Sequence, residues 1–369
     1  MRVGLDARFS SARYDGVGRY VAELLAELLG LDGGPDVLAV WPRDDDPPRH
    51  PLPAPGGRLT ALRPRRGGAP ESPWAQVELP LAARRARLDV WHSPFPAVPV
   101  LVPAPVVVTH HDCIPERHPE YFTRAQRALY RGGVWASARR ARLVITPSEM
   151  SAADLTRFYG VRPERIRVVP HGVEVPPPQQ PDEEARRRAA LRVPDSYVLI
   201  VGRPRPHKGY AALMAALGEL PPEERPAVVR VGRPDPRLPD GHEAAAQRAG
   251  VSLLALQGIE DADLLALYRG ATVVAVPSSV EGFGFPLLEA LAAGAPVLAG
   301  DIQPLRSVGA GIARYLPTNP TDWPVAIAAA LGDGAWQRRA REEGPQRACE
   351  FPWSRAARST FAVYRDAAA

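Results

Sequence analysis

Short apolar runs of strand length alternate with stretches of helical periodicity along the whole chain, and this alternation restricts the fold more than any other feature. The runs include MRVGLDA, DVLAVW, LDVWHS, PVVVTHHD, RLVITPS and RIRVVPHG in the first half, and YVLIVGR, AVVRVGR, VSLLALQG, ATVVAVPS and PVLAGD in the second. Strand followed by helix, repeated, builds parallel sheets with right-handed crossovers. The first helix is the clearest: Val17, Tyr20, Val21, Leu24, Leu25, Leu28 and Leu29 recur on one face. A length of 369 residues favours more than one domain. The best linker is VEVPPPQQP, Val173 to Pro181, because consecutive prolines neither pair in a sheet nor continue a helix. The pattern therefore predicts an α/β protein of two doubly wound, Rossmann-like domains, 1–175 and 182–350.

Composition narrows the class further. With 45% hydrophobic and 24% charged residues the chain reads as soluble and globular. Its longest apolar stretch, FPAVPVLVPAPVVV, is interrupted by four prolines and does not make a membrane-spanning helix. The opening MRVGLDARF enters a strand pattern directly, without a signal sequence, so a cytoplasmic location is expected. Two cysteines, Cys113 and Cys349, make no disulfide framework, in keeping with a reducing compartment. The charge is uneven: residues 1–180 hold 24 Arg against 19 acids and so carry the whole net charge of +5, while residues 181–369 balance. Arg124, Arg127 and Arg131 share one helical face in a segment without acids. That face is either simply solvated or a peripheral contact with an anionic membrane at its inner surface. It lacks the interleaved aromatics of a nucleic-acid surface, and no nucleic-acid partner is expected.

Two stretches point to chemistry. After the strand YVLIV comes GRPRPHKGY, which puts Gly202, Arg203 and Lys208 at a strand's carboxyl end. Lys208 is the sole lysine among 46 basic residues. A compact ammonium kept in an arginine-rich chain suits a phosphate, although a stray surface lysine is the plain alternative. The second stretch, EGFGFPLLEALAAGAPV, follows the strand-like ATVVAVPSS and carries two carboxylates, Glu281 and Glu289, eight positions apart. Pro286 suits a first helical turn, and Gly294 with Pro296 suits a helix stop. Gly282 and Gly284 leave room for backbone amides to approach an anion at the helix start. Carboxylates beside an anion are best aimed at hydroxyls, so phosphate and hydroxyls together indicate a sugar nucleotide. The alternative is that Glu281 caps the helix and Glu289 is solvated.

These residues carry a resemblance. The stretch Glu281 to Val297 fits, without a gap, the E-x7-E signature of the large retaining glycosyltransferase family 4. Other segments resemble the family in the expected order: DGVGRY (15–20), HDCIPERHPEYF (111–122), ITPSEMSAADL (145–155), RIRVVPHGVE (165–174), GRPRPHKG (202–209) and WSRAARSTFAVYR (353–365). The resemblance spans essentially the whole chain.

What it implies is a GT-B architecture: an acceptor domain, a nucleotide-sugar domain facing it across a central cleft, and a final helix, 353–369, crossing back to the first domain. By similarity, Arg203 and Lys208 neutralise the donor diphosphate and Glu289 holds the ribose hydroxyls. Glu281, with Gly282, Phe283, Gly284 and Phe285, faces the transferred sugar, and Gly202 and Ile259 complete the donor site. His111 lines the reacting face of the sugar, as a positioning group before a general base, while His110 points the opposite way along its strand. Gly16, Gly18 and Asp112 belong to the acceptor side. The implied partners are a nucleotide-sugar donor and a glycan, lipid-linked or small-molecule acceptor, with no cofactor and no metal. The HDCIPERHPEYF segment resembles the mannosyltransferase-type branch, so GDP-mannose is the first expectation for the donor. Other GT-B activities, phosphorolysis or nucleotide-sugar isomerisation, stay open, as does a basic non-enzymatic binding role. This chain departs from the family's frequent PNGV by having His171. The contiguous His110, His111, Asp112 and Cys113 are not spaced for a tetrahedral metal, and Asp44 to Asp46 reads as a solvated acidic loop rather than a metal motif.

Overall fold

The computed structural model describes the chain except for residues 12–14, 44–46, 49, 67–71, 179 and 235–241. The Asp44 to Asp46 loop thus lies outside the described residues. The apolar runs form two parallel sheets. The first contains β1 (Arg2–Leu5), β2 (Asp36–Val40), β3 (Leu59–Leu62), β4 (Val90–Ser93), β5 (Val106–Thr109), β6 (Leu143–Thr146) and β7 (Ile166–Val168), in the order β3-β2-β1-β4-β5-β6-β7. Val3 registers with Val37 on one side and Val90 on the other. The second contains β8 (Tyr197–Val201), β9 (Ala227–Val231), β10 (Leu253–Leu256), β11 (Val273–Val276), β12 (Val297–Gly300) and β13 (Arg314–Leu316), in the order β10-β9-β8-β11-β12-β13. Each sheet reverses its strand order once, between β1 and β4 and between β8 and β11. Such a reversal sends neighbouring crossovers to opposite faces and opens a crevice at the strands' carboxyl ends.

The chain divides into two compact units, Met1–Gly172 with Phe351–Ala369, and Val173–Glu350. The first unit ends three residues before the expected boundary at 175. Strands β3 and β13 are absent from the runs read in the sequence. Both are short edge strands, LTAL and RYL, that hold a polar residue and so make no unbroken apolar run.

In the first unit the helix Asp15–Gly30 buries Tyr20, Val21, Leu24, Leu25 and Leu28. The helix Trp353–Ala368 buries Trp353, Ala357, Thr360 and Tyr364 on one stripe and packs on that first helix and on β4, β5 and β6. Its start is very close to the chain before the linker: a Cβ on Gly172 would lie 2.5 Å from the backbone N and Cα of Trp353. Beneath it runs a buried polar chain. The His92 ring joins the Tyr364 hydroxyl at 2.6 Å and the Thr109 hydroxyl at 2.8 Å, and Thr109 meets the Tyr20 hydroxyl at 2.9 Å. Burial pushes the His92 pKa down to about 3, so the ring is neutral, donating from one nitrogen and accepting at the other. His110, 2% exposed, lies between the rings of Tyr130 and Tyr159. Neither of its ring nitrogens has a hydrogen-bond partner among the described residues, and burial, aided by His111, lowers its pKa to about 3.

Two outcomes follow. Gly172→Ala forces the new methyl against the backbone at Trp353 and should lower stability by about 1–3 kcal/mol, the usual cost of overpacking. A denaturant midpoint equal to the parent's would show that the helix start yields freely. Second, buried neutral histidines titrate near 6.5 once unfolded, so below that pH the unfolded chain takes up protons that the folded one refuses. Their contribution is complete above pH 6.5 and is lost as the pH falls toward the lowered pKa values, about 4 for His111 and about 3 for His92 and His110. The melting temperature should drop through that window, and less steeply in His110→Phe; parallel acid limbs would remove His110 from the account.

Candidate functional site

In the second unit, two loops leave the sheet on either side of its reversal. The loop after β8 runs Gly202, Arg203, Pro204, Arg205 into a short turn, Pro206–Lys208, and then the helix Tyr210–Gly218. The loop after β11 runs Pro277 to Gly284 into the helix Phe285–Ala292, with Pro286 in its first turn. They touch closely. The Ser279 amide donates to the His207 carbonyl at 2.9 Å, and Gly209, with φ +70°, passes so near Pro277 that a Cβ would lie 2.1 Å from its carbonyl oxygen. No side chain fits there, and few L-residues would adopt that backbone.

Over this contact the Lys208 ammonium donates to Glu281 Oε1 at 2.6 Å, and the Ser278 hydroxyl donates to the same oxygen at 2.8 Å. The two side chains are 18% and 10% exposed. One turn into the following helix, Glu289 accepts at Oε2 from the Tyr268 hydroxyl at 2.7 Å. The sequence reading aimed both carboxylates outward at ligand hydroxyls. Instead each has a protein donor on one oxygen, and the cation expected to face phosphate is paired with Glu281. The anion-attracting end of the helix, whose first amide bonds return to the Gly284 carbonyl, lies beside this pair. Gly284 has φ +108°, and a Cβ there would lie 2.5 Å from the Leu305 side chain, so internal packing requires the glycine whatever binds. Gly282 and Phe283 are buried, Phe285 is half-buried with its ring 5.6 Å from that of Phe283, and Arg203 is half-buried after β8. Ile259 lies beyond β10, at the same carboxyl edge but two strands from β8.

The first unit has a different arrangement at its carboxyl edge. At the reversal, Arg8 grips Asp6 with two hydrogen bonds, Nε to Oδ1 at 2.8 Å and Nη2 to Oδ2 at 2.6 Å, both side chains fully buried. Beyond β5, His110 and His111 point to opposite sides, as strand alternation requires. His111 Nε2 is 2.9 Å from the Pro94 carbonyl and Nδ1 is 3.1 Å from His171 Nε2. A carbonyl only accepts, so Nε2 carries the proton and Nδ1 accepts from His171. Burial lowers the His111 pKa to about 4. With both nitrogens engaged and the ring neutral, this geometry favours positioning over proton abstraction. The loop itself is rigidly tied: Ser151 donates to the His111 carbonyl at 3.2 Å, Tyr130 to the Asp112 carbonyl at 2.9 Å, and the Ile114 amide to Asp112 Oδ1 at 3.1 Å. Asp112 therefore serves its own turn. Gly16 is exposed at the start of the first helix, and Gly18 lets that helix approach the Ser10 carbonyl, from which a Cβ would be 3.0 Å.

Sequence reasoning missed Tyr268, Ser278, Asp6, Arg8 and the link between His171 and His111. Tyr268 with Glu289 and His171 with His111 are brought together by topology rather than spacing, whereas Ser278 with Glu281 and Asp6 with Arg8 are local pairs. Only His171 left a signal, as the departure from PNGV. Among the described residues no group of three or more His, Cys, Asp or Glu side chains is placed to hold a metal ion, and no helix is long and apolar enough to cross a membrane.

Comparison with known proteins places the chain in a family. The sequence model described as Glycosyltransferase Family 4 matches residues 14–175, and that described as Glycosyl transferases group 1 matches residues 181–347. A D-inositol 3-phosphate glycosyltransferase of Xylanimonas cellulosilytica is 35% identical over 61% of this chain and 57% of its own length. An MMP alpha-(1->4)-mannosyltransferase of Mycolicibacterium hassiacum is 31% identical over 63% of this chain and 56% of its own. The chain thus spans little more than half the length of these relatives. Among solved structures, sucrose-phosphate synthase from Thermosynechococcus elongatus superposes with a TM-score of 0.74 at 21% identity, covering 99% of this chain and 98% of that one. HepE of Anabaena, solved with UDP-glucose, gives 0.74 at 18% identity, with 99% of each chain covered. These likenesses give the fold as GT-B. Matched by the two models from residue 14 to residue 347, the chain belongs to glycosyltransferase family 4.

Proposed function

We propose that this chain transfers a hexose, with retention of anomeric configuration, from a nucleoside-diphosphate sugar to a hydroxyl of a glycan, lipid-linked or small-molecule acceptor. The observation that carries the reading is the Lys208–Glu281 pair at the switch between β8 and β11, with Glu289 one helical turn beyond. A cation and two carboxylates at one sheet edge, beside a helix N-terminus, match the diphosphate, sugar and ribose of a single donor. The mannosyltransferase named among the relatives supports a hexose, and GDP-mannose is the first donor to test.

Charge dictates the chemistry. Cleavage of the sugar–phosphate bond leaves negative charge on the departing phosphate oxygen and positive charge on the anomeric carbon. Lys208 and Arg203 stabilise the first, and need little reorganisation because Lys208 is already held in place by Glu281. The ammonium has three donors, so it can keep Glu281 and still donate to the diphosphate, while the carboxylate's other lone pairs accept from sugar hydroxyls. Glu289, oriented by Tyr268, takes the ribose hydroxyls. The acceptor approaches on the face the phosphate leaves, and the leaving oxygen takes its proton. In the first unit, His111 keeps its ring fixed by Pro94 and His171, which suits a positioning role toward a sugar hydroxyl.

Lys208→Ala should lower transfer by roughly ten- to a thousand-fold, the usual loss for one charge-stabilising donor. Transfer at the parent rate would overturn the phosphate assignment. Glu289→Gln should chiefly weaken nucleotide binding, read as a smaller thermal shift across a GDP, UDP and dTDP panel. If its shifts match the parent's, Glu289 holds no ribose. Activity should survive a chelator; complete loss restored by manganese would require a metal-dependent mechanism instead.

A further inference from the structure

The first unit carries a surface that the transfer reading does not use. Among the described residues, nine large hydrophobic side chains are exposed, and five of them lie on two neighbouring segments: Trp74, Val77 and Leu81 on one, Val100 and Leu101 on the other. Trp74, Val77 and Leu81 share a face of the helix Ala75–Ala86 and its cap. The helix turns Ala75, Leu79 and Ala83 inward, yet Val77 and Leu81 on its other side face solvent at 50% exposure each. Gln76 ties the second segment beside it, donating to the Val98 carbonyl at 3.2 Å and accepting from the Val100 amide at 2.8 Å. Leu101, next along, is 72% exposed.

Arginines frame the patch. The Arg66 guanidinium lies 4.9 Å above the Trp74 ring, and Arg84 and Arg85 are exposed in the helix's last turn. Arg140 donates to the Val100 carbonyl at 2.9 Å. Residues 63–88 contain six Arg and two Glu, and residues 94–104 contain no charge. The face with Arg124, Arg127 and Arg131 is less suited to an anionic partner, because Glu116 Oε1 lies 3.9 Å from Arg131 Nε.

We propose that the Trp74–Leu81 and Val100–Leu101 face docks on an anionic lipid bilayer. Apolar side chains enter the interfacial layer, Trp74 lies at the boundary, and the exposed Arg66, Arg84 and Arg85 reach the headgroups. Arg140 stays on the backbone carbonyls of the 100–104 segment. Charge decides between occupants. A twofold dimer through this patch would set the Arg rim against its own copy, which repels, whereas anionic headgroups attract every arginine in it. The patch also has a useful position. The helix joins β3 to the parallel β4, so its Trp74 end lies at the carboxyl edge of the sheet, and the 94–104 loop leaves β4 at Pro94, whose carbonyl receives His111. The Trp74 end of the docked face thus lies at the same sheet edge as the His111 loop. If the transfer reading holds, this favours an acceptor hydroxyl carried on a lipid over a freely diffusing one.

The test uses the full chain and vesicles of phosphatidylcholine alone or mixed equally with phosphatidylglycerol, co-sedimented at low and moderate salt. The parent should bind mixed vesicles well above neutral ones and lose binding as salt rises. A Trp74→Ser, Val77→Ser, Leu81→Ser variant and an Arg84→Ser, Arg85→Ser variant should each partition about tenfold less, with unchanged circular dichroism. The second variant keeps the apolar face, so misfolding of the first would leave the proposal testable. Equal, negligible sedimentation of the parent with both vesicle types overturns it. Binding retained by both variants, or lost only on Arg124→Ser, Arg127→Ser, Arg131→Ser, overturns it too. A parent that self-associates in sedimentation velocity through Trp74, without binding vesicles, makes the face a contact between copies. Vesicle binding needs no donor, so this result and the fate of the transfer reading are separate.

Discussion

Lys208 and Glu281, 73 residues apart, pair across the point where the second sheet reverses its strand order, and the pair's environment is built by how closely two loops can pass. The close approach comes first. Gly209 against the Pro277 carbonyl and Gly300 against the Ser278 carbonyl allow distances that any β-carbon would prevent. With the backbones in contact, the ammonium and the carboxylate are withdrawn from most solvent, where a pair is worth little unless its geometry is good and its remaining lone pairs are used. Ser278 uses one. The pair gives the loops a single register, and so fixes where a second anion could meet the lysine.

The two units use their carboxyl edges differently. The second gathers charge: a cation, two carboxylates and a helix N-terminus. The first buries what it places at the reversal: among the described residues Asp6 and Arg8 are fully buried and bonded twice, and the histidines beyond are held uncharged by burial. Uncharged, hydrogen-bonded histidines suit hydroxyl groups, just as a charged edge suits a diphosphate. The division of labour follows from which groups the sheet buries, with the same topology in both.

Much of this was legible in the sequence, for identifiable reasons. Strands buried on both faces read as unbroken apolar runs, and the edge strand β10 (LLAL) kept such a run too, while β3 (LTAL) and β13 (RYL), short and holding a polar residue, did not. The loops after β8 and β11 were found because glycine, proline and a sole lysine are unusual enough to mark a site. What the sequence could not convey is pairing. Nothing in the spacing says that Glu289 meets Tyr268, since the two sit on successive crossovers and touch only because their strands are neighbours. Gly284 shows the opposite risk: the reading gave it to the ligand, but its left-handed backbone and the Leu305 side chain already demand glycine.

The contact between Gly172 and Trp353 has a consequence for biosynthesis. The first unit is assembled from two stretches of chain separated by the entire second unit. A ribosome therefore finishes β1 to β7 early, but the helix Trp353–Ala368, which supplies Tyr364 to His92 and covers the first helix, is made only after Val173–Glu350. Until then the apolar side of that unit stays uncovered, while the second unit, continuous in sequence, can fold as it emerges. The order of completion is the reverse of the order of synthesis, and the waiting half is the one that carries the exposed Trp74 face.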